Sequence, residues 1–187
     1  MERITLQSGA RKMAEGEVIA YATEAVFGLG CDPDNREAVM RLLAIKQRPV
    51  EKGLILLAAD VDQLRPYVDF DALSDAQRQR VFDSWPGPYT WVVPAKPGVP
   101  EWITGQFQSV AVRVTAHPQA ADLARLFGKP MVSTSANLSG DEPGRSVAEV
   151  QHTLSGRVAG VVDSQVGDSL SPSTIINAIT GETLRAG

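Results

Sequence analysis

The strongest limit on the fold comes from two kinds of apolar segment that take turns along the chain. Brief β-rich runs, Val18–Ala22, Leu54–Ala59, Tyr89–Val93, Ser109–Val114 and Met131–Asn137, are too short for stable helices. Between them lie stretches with helical spacing and capping residues. Leu6–Ala14 reads as a helix stopped by Gly16. Asn35 is an N-cap for a helix to about Ile45, with Val39, Leu42 and Leu43 on one face. Val61–Val68 and Ser74–Trp85 read as helices, the second capped by Ser74. Helices also follow His117-Pro118, as far as Leu126, and Ser146, to about Leu154. The last three strand signals, Val158–Val162, Ser171–Ile176 and Gly181–Gly187, come almost back to back. This order predicts an α/β fold with a mixed sheet. At 187 residues without repeat, linker or low-complexity segment, residues 1–187 are expected to form one domain with a proper core.

Charge and cysteine usage exclude several classes. Eighteen basic against 22 acidic residues give a net charge of -4, with no global attraction to nucleic acid. A local basic face stays open, because distribution sets a patch and the sum does not. The lone Cys31 excludes an internal disulfide and fits a reducing compartment. Beside Asp32 it could be a nucleophile or a small buried thiol. With two histidines far apart, no zinc-ligand spacing can be assembled, and no protein-held metal is expected. There is no signal-peptide core and no run long enough to span a bilayer, so the expectation is a soluble cytoplasmic protein without membrane contact.

Three cations fall within Lys46-Gln47-Arg48-Pro49-Val50-Glu51-Lys52, on the doorstep of an apolar run. Pro49 disfavours the α region for Arg48. If Lys46 to Arg48 is extended, both side chains point the same way and form a two-pronged site for phosphate or carboxylate. The competing reading is a solvated helix end whose cations complement the dipole. Other stretches carry similar alternatives. Thr23 and Glu24 form a polar pair before Gly28 and Gly30, glycines that either let backbone approach a ligand or simply turn the chain. Arg113 shares a strand face with Ser109 and Ala111, opposite the valines, as a ligand group or as a surface arginine. Ser133, Ser135 and Asn137 lie two apart, so one extended face offers several hydrogen-bonding groups. Trp91 and Trp102 read as packing aromatics. Gly140 to Ser146 mimics a phosphate-binding loop but lacks its lysine.

Taken together, Tyr21-Ala-Thr-Glu-Ala-Val-Phe-Gly-Leu-Gly30, Lys46-x-Arg48-Pro49, Pro86-Gly-Pro-Tyr-Thr90, Val110-Ala-Val-Arg113 with His117-Pro118, Ser133-Thr-Ser-Ala-Asn137-Leu-Ser-Gly140 and Pro172-Ser-Thr-Ile175 resemble the YrdC-like family. The resemblance runs over nearly the whole chain and is to the short bacterial members, which lack the extra C-terminal domain of longer relatives. It implies a single-domain twisted mixed sheet flanked by helices, with a large concave basic cleft. It also implies a nucleotidyltransferase. L-threonine and bicarbonate give N-carboxythreonine, whose carboxylate attacks the α-phosphorus of ATP, with Mg²⁺ accompanying the nucleotide. Pyrophosphate leaves L-threonylcarbamoyl-AMP, which a tRNA threonylcarbamoyl-transfer complex uses to modify N6 of adenosine in tRNAs reading codons that begin with A.

Carried over by position, the resemblance sets Lys46 and Arg48 at the ATP phosphates as the catalytic pair. It gives Ser135 and Asn137 to the nucleotide, Thr23, Arg113, Ser133 and Ser173 to the threonine pocket, and Lys52 and Arg185 to further ATP contacts. Ala22, Ala25, Phe27 and Gly53 depart from the frequent proline, threonine, tyrosine and proline of the family. None of these removes a charged ligand, and Phe27 removes any tyrosine hydroxyl role. The absence of a Ser-His-Asp or Cys-His arrangement agrees with chemistry that rests on positioning and charge neutralisation. Two other readings remain at this level: a double-stranded RNA- or rRNA-binding maturation factor, and a carbamoyl-adenylate domain like that of hydrogenase-maturation proteins.

Overall fold

The computed structural model describes residues 1–187. Its ten strands are β1 (Arg3–Ile4), β2 (Ile19–Ala22), β3 (Phe27–Gly30), β4 (Ile55–Ala58), β5 (Tyr89–Pro94), β6 (Ser109–Val114), β7 (Met131–Ser135), β8 (Val161–Val162), β9 (Thr174–Asn177) and β10 (Thr183–Arg185). They form one sheet in the order β1-β8-β2-β3-β7-β4-β6-β5-β9-β10. Pairing is mixed: β4 runs parallel to β6 but antiparallel to β7, and β5 is parallel to β9 but antiparallel to β6. The helices are α1 (Leu6–Ala14), α2 (Arg36–Lys46), α3 (Val61–Leu64), α4 (Asp75–Asp83), α5 (Glu101–Thr104), α6 (Pro118–Phe127) and α7 (Val147–Leu154). The α/β mixed-sheet expectation therefore holds.

Capping chemistry sets the helix starts. Asn35 accepts from the Ala38 amide at 3.1 Å, and Ser74 closes a reciprocal capping box with Gln77. His117 Nδ1 accepts from the Ala120 amide while Pro118 occupies the first turn of α6, where a missing N–H costs nothing.

Strand alternation divides the core in two. On β4, Leu56 points into a large cluster with Val39, Leu42, Val112 and Val150, and Leu57 into a smaller one with Met13, Leu123 and Met131. The smaller cluster lies under α1 and α6. The same sheet face changes character along its strands. Tyr21 and Met131 are buried in the smaller cluster, whereas Thr23, Ser133 and Ser135, two or four residues on, line a cavity. The two-residue period thus carries one face from apolar core to polar site without any change of side.

Four expectations change. The predicted helix Val61–Val68 ends at Leu64, because Pro66 has no N–H to continue the ladder. The final part of Val158–Val162 alone pairs as β8. Gly28 and Gly30 do not turn the chain; they sit inside buried β3. A Cβ on Gly30 would meet Tyr21 Cε1 at 2.6 Å, so the ring packs directly on backbone. Lys46 to Arg48 is not extended: Lys46 is the last residue of α2 and Gln47 is left-handed at φ 48°.

Candidate functional site

One cavity of about 850 Å³ opens on the sheet face described above. That volume is at the upper end of what small-molecule sites occupy, roughly 300–1,000 Å³. Thr23, Lys46, Arg48, Lys52, Arg113, Ser133, Ser135, Asn137, Ser173 and Arg185 all line it. Residues spread from position 23 to position 185 thus converge because the β2, β4, β6, β7 and β9 ends meet there.

Lys46 stands at a helix end, as one of the two readings had it, and both it and Arg48 face the cavity. The left-handed Gln47 ends α2 and turns both side chains into the cavity. Lys46 Nζ donates to Ser135 O at 2.9 Å, Ser135 Oγ at 3.2 Å, Asn137 O at 2.9 Å and Asn137 Oδ1 at 2.7 Å. It therefore ties the end of α2 to the end of β7. Burial and the like charge of Arg48 push this ammonium down to about 8, and the ring of oxygens opposes that push. Arg48 Nε and Nη2 donate to Gly53 O at 3.2 and 3.0 Å, which fixes the guanidinium plane against the Val50–Lys52 turn; burial lowers its pKa too. Gly53 has φ 71°, a value closed to proline, so this turn differs in kind from one with proline there.

Arg113 is neither a surface arginine nor without a partner. It is buried on β6 with Ser109 and Ala111 facing the same cavity, as the alternation required. Its Nη1 donates to Glu24 Oε2. Glu24 Oε1 accepts from Thr115 Oγ1 at 2.7 Å, and Oε2 also faces the Ala116 amide at 3.4 Å. Thr23, next in the chain, commits its hydroxyl to Val26 O at 2.7 Å, closing the β2–β3 hairpin that presents both residues. Sequence reasoning noted Glu24 only as half of a polar pair. Its partner lies 89 positions away, so no local signal named the contact.

At the far rim Ser173 Oγ shares a hydrogen bond with Thr90 Oγ1 at 2.7 Å, and Arg185 Nη2 donates to Ser173 O at 2.8 Å. Burial and the charge of Arg113 lower the pKa of Arg185. Phe107 and Leu184 add apolar lining that sequence reasoning missed. Phe27 is fully buried and contributes no polar atom. The cavity thus carries five cations, Lys46, Arg48, Lys52, Arg113 and Arg185, against one carboxylate, Glu24, in a chain of net charge -4. Such a field gathers anions.

Of the remaining candidates, Cys31, Trp91 and Trp102 lie outside the site, while the Gly140–Ser146 segment reaches its wall through Gly140 and Pro143. Cys31 is fully buried and burial pushes its thiol up, so it is a packed thiol and not a nucleophile. Trp91 and Trp102 pack and donate to Ser84 Oγ and Pro33 O. The Gly140–Ser146 segment is pinned by backbone bonds from Phe27 and to Ala136. No three His, Cys, Asp or Glu come together as a metal cage, and no helix is long and apolar enough to cross a membrane.

Known proteins are similar to this chain in sequence and in fold. The threonylcarbamoyl-AMP synthase of Klebsiella pneumoniae subsp. pneumoniae is 58% identical over 170 residues, covering 91% of this chain and 89% of that protein. That of Yersinia enterocolitica is 54% identical over 185 residues, covering 99% and 97%. P. abyssi Sua5 solved with L-threonine superposes with a TM-score of 0.85 at 32% identity over 94% of this chain; the chain spans about half of that protein, 52%. E. coli YciO, at 24% identity and TM-score 0.80, shares the fold over 96% of this chain and 89% of its own. The sequence model of the Sua5/YciO/YrdC domain, described as Telomere recombination, matches residues 11–187. With a sheet of matching form and relatives above half identity, the chain belongs to the Sua5/YciO/YrdC family.

Proposed function

We propose that the chain is a threonylcarbamoyl-AMP synthase, joining L-threonine, bicarbonate and ATP to give L-threonylcarbamoyl-AMP and pyrophosphate. The observation that carries this is one cavity in which five cations converge with a single carboxylate, Glu24, that is paired with Arg113. On this reading Lys46 and Arg48, with Ser135 and Asn137 bonded to Lys46, serve the phosphates, and Arg113, Thr23, Ser133 and Ser173 serve the amino acid. Relatives at 54% and 58% identity carry the synthase name, and a structural neighbour was solved with L-threonine.

In this reading Lys46 and Arg48 hold the phosphates and neutralise the charge that gathers on leaving pyrophosphate, so they are the catalytic pair. Ser135 and Asn137 orient the nucleotide, and Lys52 and Arg185 add charge at the rim. Arg113 takes the α-carboxylate of threonine through a charge-assisted fork. The N-carboxythreonine oxygen forms a bond to the α-phosphorus as the bond to the bridging oxygen of pyrophosphate breaks. No protein nucleophile is needed. The one carboxylate lining the cavity is paired with Arg113, so Mg²⁺ would be held chiefly by the nucleotide it accompanies, where it would supply further charge neutralisation beside Lys46 and Arg48. The product is an activated carbamoyl donor for a tRNA threonylcarbamoyl-transfer complex. Pyrophosphate release that requires threonine and bicarbonate together tests the reading; release at the same rate with either one omitted would contradict it.

A further inference from the structure

We propose that Glu24 is the recognition group for the α-ammonium of the substrate, so that Arg113 and Glu24 together read an amino-acid zwitterion. This rests on the synthase reading above. An α-amino acid carries its two opposite charges on one carbon, and the cavity offers one matching pair of opposite charges in contact. Every other charged lining group is a cation, which would repel an ammonium. Glu24 is therefore the only side chain there that can compensate the substrate's positive end.

The geometry leaves it capacity to do so. A carboxylate offers about four lone-pair sites. The hydrogen bonds present use Arg113 Nη1 and Ala116 N on Oε2 and Thr115 Oγ1 on Oε1, so one site remains. The Glu24 side chain is 14% exposed and lines the cavity beside Thr23. It is also held still. Thr115 Oγ1 accepts in turn from the His117 amide at 3.0 Å, and the Ser169 amide donates to Glu24 O at 3.1 Å. A purely structural ion pair would need neither the opening nor the placement.

The test is direct binding of L-threonine and of its 2-hydroxy analogue, 2,3-dihydroxybutanoate of matching configuration, which keeps the carboxylate and loses the ammonium. Glu24→Gln keeps an acceptor for Arg113 and can donate to Thr115. The expected result is a loss of about 10- to 100-fold for threonine, the size of a charge-assisted contact, with the analogue changed by less than about threefold. Equal losses for both ligands would show that Glu24 serves only to hold Arg113, and would overturn the inference while leaving the synthase reading intact. A wild-type protein that binds ATP but no threonine would overturn the synthase reading itself. Should Glu24→Gln fail to fold, Thr115→Val releases Oε1 without removing charge. It should cost threonine about two- to tenfold and the analogue nothing; no selective loss there overturns the proposal equally.

Discussion

Removing the charge of Lys46 should separate nucleotide affinity from stability. Lys46→Met keeps the length of the side chain and deletes the ammonium that donates to the four oxygens of Ser135 and Asn137. A charged hydrogen-bonding group is worth about 1.5–3 kcal/mol to its partner, which converts to about 10- to 150-fold in ATP affinity. A bare Coulomb figure of about 4 kcal/mol at contact in a surface-like dielectric is the ceiling, and Arg48 alongside lowers it. Stability should move far less. The oxygens that lose Lys46 line an open cavity where water replaces the ammonium, and deletion also relieves the burial of a charge. A cost of about 1 kcal/mol corresponds to roughly 2–4 °C in Tm for a chain of this size. Titration calorimetry with ATP and scanning calorimetry of the free protein measure the two quantities. ATP affinity within twofold of wild type, or a Tm fall above about 10 °C, would refute the reasoning: the first says the ammonium does not touch nucleotide, the second that it is a structural strut.

Four further outcomes follow from particular contacts. ATP affinity should fall as pH rises through about 8, with log Kd against pH approaching a slope of one, because the protonated Lys46 is the binding form; a flat profile to pH 9.5 refutes this. The same depression means that the folded chain holds this proton less tightly than the unfolded chain. Its destabilising contribution is full below about 8 and is relieved as pH rises toward the ordinary value of 10.5, which ligand-free Tm measured across that window checks. Arg113→Ala should weaken threonine by about 10- to 150-fold and ATP measured alone by less than about threefold; equal losses place Arg113 in the nucleotide site. Gly53→Ala should lower Tm by roughly 2–8 °C, since φ is 71° and the new Cβ would lie 2.9 Å from Thr104 O, and an unchanged Tm would show that the turn relaxes freely.

What the sequence could reveal depended on the range of the interaction. Caps are local, so Asn35, Ser74 and Ser146 marked helix starts that the structure keeps. Alternation is local too, and it placed Ser109, Ala111 and Arg113 on one face. The Lys46–Arg48 geometry was misread because proline's effect on its neighbour does not specify a left-handed residue one position earlier. β3 went unseen because its glycines carry turn statistics, whereas here Tyr21 supplies the side chain that fills their space. The Glu24–Arg113 pair joins a hairpin tip to a distant strand, and nothing in either neighbourhood fixes that register. The motif resemblance gathered the ten candidate residues into one list; the sheet order is what gathers them around one cavity.

The most direct test of the central claim is mass detection of the adenylate formed by purified protein with ATP, L-threonine and bicarbonate. The expected result is threonylcarbamoyl-AMP and pyrophosphate in equal amounts, both lost when threonine or bicarbonate is withheld. Pyrophosphate without the adenylate, or an adenylate formed equally well from carbamoyl phosphate, would contradict it.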